Sequence, residues 1–218
     1  MKDGDFIRID YVGRISESRE IFDLTKGNVA KKEGIFNPNV KYNPVPVVIG
    51  GNFVVRGLEN ELKKMKVGDK KKISVDPTGA FGERKSEFIK LIPLSEFKKQ
   101  DMDPYPGMPV TINKLMGRVL SVSGGRVRID FNHPLAGKTL EYEVEVKKKI
   151  TKKPEKVKAI LEFFFKDGDD IEADFKQDTV EIKIKKDITR RTKRAIAENI
   201  IKWVNFIKKV RFIDEFTQ

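Results

Sequence analysis

The stretch from Val45 to Glu83 constrains the fold of this chain more than any other part of its sequence. It reads VPVVIGGNFVVRGLENELKKMKVGDKKKISVDPTGAFGE. Alternating apolar residues from Val45 predict a short, half-buried strand, which a pair of glycines ends. Apolar positions at Leu58, Leu62 and Met65 then predict a helix with one buried face. The expected centre of the fold is therefore a strand, a turn, a short helix and a second strand.

The composition excludes several classes of protein. The chain has 218 residues, enough for more than one domain, and 36% of them are charged, against about 25% in an ordinary globular protein. It has no cysteine, which excludes a disulfide framework and thiol chemistry and fits a reducing compartment. The N-terminal sequence MKDGDFIRID has no apolar core, and no run approaches the roughly 18 apolar residues of a membrane span. We expect a soluble cytoplasmic protein with no membrane partner.

The net charge of +12 raises the question of a nucleic-acid partner. Basic residues are spread along the chain beside acidic ones, as in KKMKVGDKKK and EVEVKKKITKKPEK, and form no stripe with exposed aromatics. A solvated basic surface is therefore the simpler interpretation. A generic attraction to RNA or ribosomes stays open, although nothing in the pattern indicates nucleic acid or ribosome association directly.

The segment before Val45 is predicted to contain strands followed by a long loop. Residues 5–12 alternate as a strand, and IFDL follows a turn. Residues 25–43 are polar and contain the breakers Gly27, Gly34 and Pro38. Because most connections in compact domains have about 4–6 residues, we interpret this segment as a functional or mobile loop.

The part that follows Glu83 is predicted to be rich in strands. A Ser-Gly-Gly turn between two alternating segments predicts a hairpin, and the loop-rich sequence DMDPYPGMP precedes it. The predicted strands are residues 88–93, 117–123, 126–131 and 139–146.

The C-terminal part is predicted to be a third unit with helices and a hairpin. A helix over residues 155–165 follows Pro154, a residue suited to its first turn, and DGDD is interpreted as the turn that stops it. A hairpin over 171–184 leads to a longer helix that begins after Asp187 or Thr189 and runs to about Val210, with a final strand at 211–213. Some 65 residues cannot bury so many large apolar groups well alone, so we expect this unit to dimerise.

Two of these segments together resemble FKBP-type peptidyl-prolyl isomerases. The first is IGGNFVVRGLENELKKMKVGDKKKISVDPTGAFGE, and the second is NHPLAGKTLEYEVEV. The residues between them resemble the insert-in-flap domain of SlyD-type members, which binds unfolded chains, and the layout is similar to that of long archaeal members with an extra C-terminal domain. The implied domains are an isomerase domain (1–85 and 132–152), an insert-in-flap chaperone domain (86–131) and a dimerisation domain (153–218).

The fold class that the resemblance implies is α+β. An antiparallel sheet would wrap on a short helix, the insert would be a small β-rich domain, and the C-terminal domain would be α/β. The implied function is isomerisation of Xaa-Pro bonds together with folding chaperone activity, on unfolded or proline-containing polypeptides and as a homodimer. The resemblance implies no cofactor and no metal.

The expected chemistry explains why the implied site is apolar and aromatic. An Xaa-Pro bond must cross a barrier of about 18–20 kcal/mol, through a twisted amide in which charge separation is reduced. A dry apolar pocket favours that twisted form over the planar one, and each tenfold acceleration needs only about 1.4 kcal/mol of such preference. Neither a nucleophile nor proton transfer is required.

The resemblance implies a set of catalytic residues. Phe22 would be a pocket wall, Asp23 the polar group at its edge, and Leu58 the floor. Phe81 stands where the family has Tyr, so a hydrogen bond to a bound carbonyl, worth about 0.5–1.5 kcal/mol, would be missing. Without the ordered motif, the aromatic members would be interpreted as core residues. The implied catalytic positions are Tyr11, Phe22, Asp23, Val54, Val55, Leu58, Phe81 and Tyr142.

A second set of residues is expected to bind substrate. Leu135 would line the flap, and the apolar residues of the insert would hold unfolded chains or, as an equal alternative, form the insert's own small core. The lone His133 is interpreted as a turn residue. The expected substrate-binding residues are Leu135, Phe88, Ile89, Leu91, Ile92 and Met108, with Leu115 as a further candidate.

Two other functions remain open at this point. The chain could be mainly a non-catalytic holdase, because Phe81 replaces Tyr and the insert is long. It could also be a ribosome- or RNA-associated factor that uses the net positive charge.

Overall fold

A computed structural model describes residues 1–165 and 171–213. These residues belong to two compact units, which are described separately. Unit 1 comprises Met1–Val75 and Leu140–Gln218, and unit 2 comprises Asp76–Thr139. The elements in chain order are β1 (Phe6–Ile15), β2 (Ile21–Leu24), α1 (Gly27–Lys32), β3 (Val45–Val48), α2 (Arg56–Lys64), β4 (Lys70–Val75), β5 (Ile89–Pro93), α3 (Leu94–Lys98), β6 (Pro109–Ile112), β7 (Leu115–Ser123), β8 (Arg126–Asp130), β9 (Leu140–Ile150), α4 (Lys153–Phe164), β10 (Ile171–Lys176), β11 (Thr179–Ile184), α5 (Arg190–Trp203) and β12 (Lys209–Ile213).

The main sheet of unit 1 is antiparallel and has the strand order β2-β1-β9-β4, with β3 also paired to β1. Strand β1 is paired with β9 along its whole length, so the two longest strands form the centre of the sheet. Helix α2 packs against β4, and its Leu58 and Leu62 are buried. The strand, turn, helix and strand predicted from Val45 to Val75 are confirmed.

The prediction that residues 25–43 form a loop is wrong in part, because this segment contains helix α1. Ala30 of this helix is fully buried, and the backbone of Gly27 lies against the ring of Tyr42. A Cβ atom at Gly27 would come within 3.2 Å of the Tyr42 side chain. These are tertiary contacts, which a polar sequence with three helix breakers does not reveal.

The C-terminal part of unit 1 shares one hydrophobic core with the main sheet. Val157 and Ile160 of α4 and Ile196 of α5 are fully buried in the same cluster as Phe6 and Val48. Strands β10, β11 and β12 form a three-stranded sheet in which β10 and β11 are antiparallel and β11 and β12 are parallel. The predicted hairpin and final strand are confirmed, and the DGDD turn lies outside the described residues.

Helix α5 ends at Trp203, so the prediction that it continues to about Val210 is wrong. It begins where one of the two expected caps places it, since the Thr189 hydroxyl accepts a hydrogen bond from the Thr192 N–H. Beyond the helix, the N–H groups of Lys208 and Lys209 both donate to the Asp178 carbonyl. These bonds direct the chain into β12 beside β11. Asp178 lies far from these lysines in the sequence, so the periodicity of apolar residues in α5 could not indicate this contact.

Unit 2 is built on a four-stranded antiparallel sheet with the order β5-β8-β7-β6. The predicted hairpin of β7 and β8 is confirmed, whereas helix α3 was not anticipated. Phe97 of α3 is buried in the core of this unit together with Val119, Val127 and Ile129. Gly117 permits that packing, because a Cβ atom there would lie 2.8 Å from Ile129.

No helix within residues 1–165 and 171–213 is long and apolar enough to cross a membrane. In the same described residues, no group of three or more His, Cys, Asp or Glu side chains is placed to hold a metal ion.

Candidate functional site

Three aromatic rings lie together at the β2 end of the main sheet in unit 1. The ring of Tyr142 contacts that of Phe22 edge-on at 5.6 Å between centroids, and that of Tyr11 at 6.1 Å. Gly13 is opposite both Tyr142 and Asp23 in the strand pairing. A Cβ atom on Gly13 would come within 2.6 Å of the Phe22 ring, so only glycine leaves room for that ring at this point of β1. The result is an aromatic wall whose members come from β1, β2 and β9.

Asp23 provides the polar edge of this aromatic wall. The Tyr11 hydroxyl donates a 2.5 Å hydrogen bond to Asp23 Oδ2, and the Asp23 side chain is exposed. Burial raises the pKa of Tyr11 strongly, and the negative charge of Asp23 and its hydrogen bond raise it further. The hydroxyl therefore stays protonated and keeps donating to Asp23 at neutral pH. A fixed polar pair at the rim of an apolar wall can orient a peptide backbone while the rings contact its side chains.

The turn before α2 carries three further predicted positions. Val54 and Val55 are half-buried, and Val55 is the N-cap residue of α2, whereas Leu58 is 1% exposed. The turn is supported from the C-terminal part of unit 1, because the Phe53 ring lies 4.5 Å from the Phe163 ring of α4. The C-terminal part thus contacts the segment that would present its backbone to substrate.

A buried carboxylate holds the other end of the same turn. Glu59 is 5% exposed, and its Oε1 accepts a 2.9 Å hydrogen bond from the Gly50 N–H. This bond ties α2 to the glycine turn after β3. The role of Glu59 was missed in the sequence, where it reads as an ordinary helix residue. The only available signal was an acidic residue in the first helical turn, close to two glycines.

We expect Glu59→Ala to lower the free energy of unfolding by about 1–3 kcal/mol, because it leaves the partly buried Gly50 N–H without its acceptor. Glu59→Gln is the matched control: its amide oxygen can still accept that bond, so it should lose less than half as much. Urea unfolding of both variants measures the difference. Equal losses would show that the hydrogen bond from Gly50 does not account for the role of Glu59.

Tyr142 makes the stability of unit 1 sensitive to alkaline pH. Burial, with a smaller contribution from the negative charge of Asp23, raises its pKa from 10.0 to about 12. The folded state then holds this proton more tightly than the unfolded state, so its stabilising effect is complete below pH 10 and lost as the pH rises towards 12. Relative to Tyr142→Phe, the wild-type protein should lose up to about 1.4 kcal/mol per pH unit in this window. Urea unfolding from pH 9 to pH 12 tests this, and parallel curves for the two proteins would contradict it.

Unit 2 carries the other two predicted pocket residues, Phe81 and Leu135. The Phe81 ring is 37% exposed and stacks on the ring of His133, with 4.1 Å between centroids and planes 2° apart. Nδ1 of His133 accepts a hydrogen bond from the Leu135 N–H. His133 therefore joins these two residues, a role that the sequence interpretation as a turn residue covers only in part.

Asn132 joins the two chain segments at the base of the insert. Its amide donates to the Lys85 carbonyl and accepts from the Lys85 N–H, both at 2.9 Å. The Arg84 guanidinium pairs with Asp130 at 2.6 Å. Burial raises the pKa of Asp130, but hydrogen bonds from Asn132 and Arg84 outweigh it and leave that pKa below its usual value. The chain between Lys85 and Asn132 thus leaves and returns at one bonded point.

The predicted substrate-binding residues of the insert fall into two groups. Ile92 and Met108 pack against the core of unit 2, and Ile89 is half-buried. Phe88 and Leu91 are 45% and 62% exposed. Three other apolar side chains of unit 2 are exposed: Met116, Tyr105 and Leu115. Of these, only Leu115 was a candidate from the sequence.

Comparison with known proteins agrees with this architecture. The family model described as "FKBP26, IF domain" matches residues 90–135, and "FKBP26 C-terminal" matches residues 153–217. The chain is 29% identical over 147 residues to a short-type peptidyl-prolyl cis-trans isomerase of Methanocaldococcus jannaschii, which covers 67% of this chain and 92% of that protein. It is 38% identical over 108 residues to a probable FKBP-type 16 kDa peptidyl-prolyl cis-trans isomerase of Pseudomonas fluorescens, over 47% of this chain and 71% of that protein. It is 28% identical over 117 residues to the FKBP-type isomerase SlyD of Helicobacter pylori, over 51% and 62%.

An antiparallel sheet around a short helix, with an aromatic wall and an inserted β-rich segment, defines an FKBP-like protein. The chain belongs to the FKBP-type peptidyl-prolyl cis-trans isomerases, and it carries an FKBP26-type C-terminal domain.

Proposed function

We propose that the chain isomerises Xaa-Pro bonds at the aromatic wall of unit 1 and that its insert holds unfolded polypeptide. The observation that carries the isomerase part is the cluster of Tyr11, Phe22 and Tyr142 with Asp23 hydrogen-bonded at its rim. The proline ring packs on the apolar faces, where water is excluded. The twisted amide, with less charge separation than the planar one, is then favoured.

The proposed catalytic set keeps distinct roles for its members. Phe22 and Tyr142 form the apolar wall, Tyr11 and Asp23 the polar rim, and Leu58 the buried floor. Val54 and Val55 offer backbone groups. Phe81 and Leu135, which belong to unit 2, are proposed separately as substrate contacts of that unit. A preference of about 4 kcal/mol for the twisted amide would accelerate isomerisation about a thousandfold.

Exposed apolar side chains in unit 2 support the chaperone part. Leu91 of β5 and Met116 of β7 are 62% and 80% exposed, and the pairing registers put both on the sheet face opposite Val127 and Val119. An unfolded chain can cover such side chains at a gain of about 25 cal/mol per Å² of apolar surface. Phe88, which precedes β5, and Leu115, which alternation along β7 puts on the other face, are exposed candidates outside this surface, whereas Ile92 and Met108 contribute to the insert's core.

The experiment that tests both parts is catalysis of a refolding reaction limited by proline isomerisation. We expect the full chain to accelerate it, and the double variant Leu91→Ser/Met116→Ser to require several-fold more client for half-maximal rate. Lys90→Ser, an exposed position on the same strand, is the control and should behave as wild type. An unchanged client requirement for the double variant would contradict the proposed surface.

A holdase with little catalysis is the second candidate, and the stacking of Phe81 on His133 favours it. Phe81 has no hydroxyl to donate to a bound carbonyl, and one ring face is already covered. A holdase would suppress aggregation of an unfolded client without accelerating its refolding, so the same refolding reaction separates the two functions.

Assembly as a homodimer and a location in the cytoplasm remain proposals. A dimer was expected because the C-terminal part could not bury its large apolar groups alone. The apolar groups of α4 and α5 are mostly buried within unit 1, so this reason is weaker than the sequence suggested. Phe163 and Ile201 remain 51% and 45% exposed on these helices and support an interface there. Light scattering should give twice the chain mass, and Ile201→Glu should give the monomer.

A further inference from the structure

A cleft of about 380 Å³ lies in unit 1 between the start of α4 and the end of α5. Three lysines line it, Lys153 and Lys156 from α4 and Lys202 from α5, and Trp203 and Phe206 form its aromatic side. Its size is within the range of pockets that bind small molecules. None of these residues belongs to the proposed isomerase pocket.

The lysines of this cleft are held by aromatic rings instead of by carboxylates. Lys153 Nζ is 4.7 Å from the Phe206 ring, Lys202 Nζ is 4.7 Å from the Trp203 ring, and Lys156 Nζ is 5.1 Å from the Phe6 ring. Cation–π contacts position an ammonium group and leave its charge uncompensated. No lining residue is acidic, and within residues 1–165 and 171–213 the structure shows no ion pair for these three lysines.

The two acidic residues beside Gly4 are already paired with lysines outside the cleft. Asp3 is 2.9 Å from Lys63, and Asp5 is 2.8 Å from Lys149. Gly4, which lies between these two residues, lines the cleft with its backbone. The cleft therefore combines three uncompensated positive charges with two large aromatic rings.

We propose that this cleft binds the phosphate of a nucleotide, with the lysines around the phosphate and the sugar or base against Trp203 and Phe206. Ammonium groups bind phosphate as point charges, and planar bases pack on aromatic side chains. The phosphate belongs either to a free nucleotide or to one unit of a single-stranded RNA. The site acts independently of the isomerase pocket, so it survives if the proposed isomerase function fails.

Trp203 is the only tryptophan of the chain, so its fluorescence reports directly on the cleft. The full-length protein is titrated with uridine, uridine monophosphate, uridine triphosphate and a ten-nucleotide oligouridylate, with excitation at 295 nm to limit absorption by the base. We expect the phosphate-bearing compounds to change the emission and bind at least tenfold more tightly than uridine, with affinity that falls as salt is raised.

Two variants decide whether the binding occurs in the cleft. Lys153→Gln/Lys156→Gln/Lys202→Gln should weaken binding at least tenfold, while Lys158→Gln, an exposed position on the same helix, should bind as wild type. Circular dichroism and the refolding reaction show that the triple variant is folded. Tighter binding of the oligouridylate than of the triphosphate identifies an RNA strand as the source, and the reverse identifies a free nucleotide. Equal binding of uridine and its phosphates, no binding of any probe, or undiminished binding by the folded triple variant would overturn the proposal.

Discussion

A protein in which residues 86–131 are replaced by a short Gly-Ser loop is expected to lose about a hundredfold of its acceleration of proline-limited refolding. The insert is proposed to hold unfolded chain on the same molecule as the pocket, and tethering of this kind contributes about 10²–10⁴ in effective binding. Lys85 and Asn132, which are joined by two hydrogen bonds, remain as the ends of the new loop. The rate on a short Xaa-Pro peptide, which needs no capture, should stay within about twofold of the wild-type rate.

The peptide reaction is the internal control for this replacement, because it shows that unit 1 is folded and active. Replacement of residues 101–107 alone, which lie in the loop between α3 and β6, is the matched variant that keeps the sheet of the insert. It should retain most of the refolding activity. If the full replacement accelerates refolding as well as wild type does, capture by the insert is not part of the function.

The second large effect is expected from Asp23. In Asp23→Ala the Tyr11 hydroxyl loses its acceptor, and the polar rim of the aromatic wall is no longer fixed. We expect kcat/KM on the short peptide to fall about tenfold, which corresponds to about 1.4 kcal/mol, a moderate value for one hydrogen bond to a charged group near solvent. The pKa of Tyr142 should also move down towards 10.0, because the charge of Asp23 contributes to its elevation.

A double-mutant cycle with Tyr11→Phe tests whether Asp23 acts through that hydrogen bond. If the bond is what matters, the double variant should be no slower than the slower single variant, since each substitution removes the same interaction. Independent, multiplying losses would mean that Asp23 contacts substrate without Tyr11. Asp10→Ala is a useful control. Asp10 lies beside Tyr11 on β1, but its carboxylate accepts a hydrogen bond from the Thr25 hydroxyl.

The sequence was most informative where local pattern and ordered motif agree. The helix that carries Leu58 and the alternating strand that carries Tyr142 were both predicted at nearly their observed positions. In these segments the periodicity comes from one buried face. The contact of Tyr11, Phe22 and Tyr142 could be expected only through the family resemblance, because nothing in their spacing brings three separate strands together.

Features set by long-range contacts could not be predicted from local pattern. Helix α1 buries Ala30, and the chain beyond α5 enters β12 through hydrogen bonds to the Asp178 carbonyl. The support of the glycine turn by Glu59 depends on a carboxylate that meets a distant N–H group. Phe6 and α4 likewise share one core, although they lie far apart in the sequence. This packing already buries apolar groups that the sequence analysis expected a dimer to bury.

The most direct test of the account is the exchange rate between cis and trans isomers of a short Xaa-Pro peptide, measured by NMR with and without the full-length protein. The account predicts that catalytic amounts of protein raise the exchange rate at least a hundredfold, and that Tyr142→Ala, if it is folded by circular dichroism, abolishes most of that gain. Tyr105→Ala, which changes an exposed aromatic side chain of the insert and none of the wall, should retain it. An exchange rate that the wild-type protein leaves unchanged would contradict the isomerase function and leave the holdase in its place.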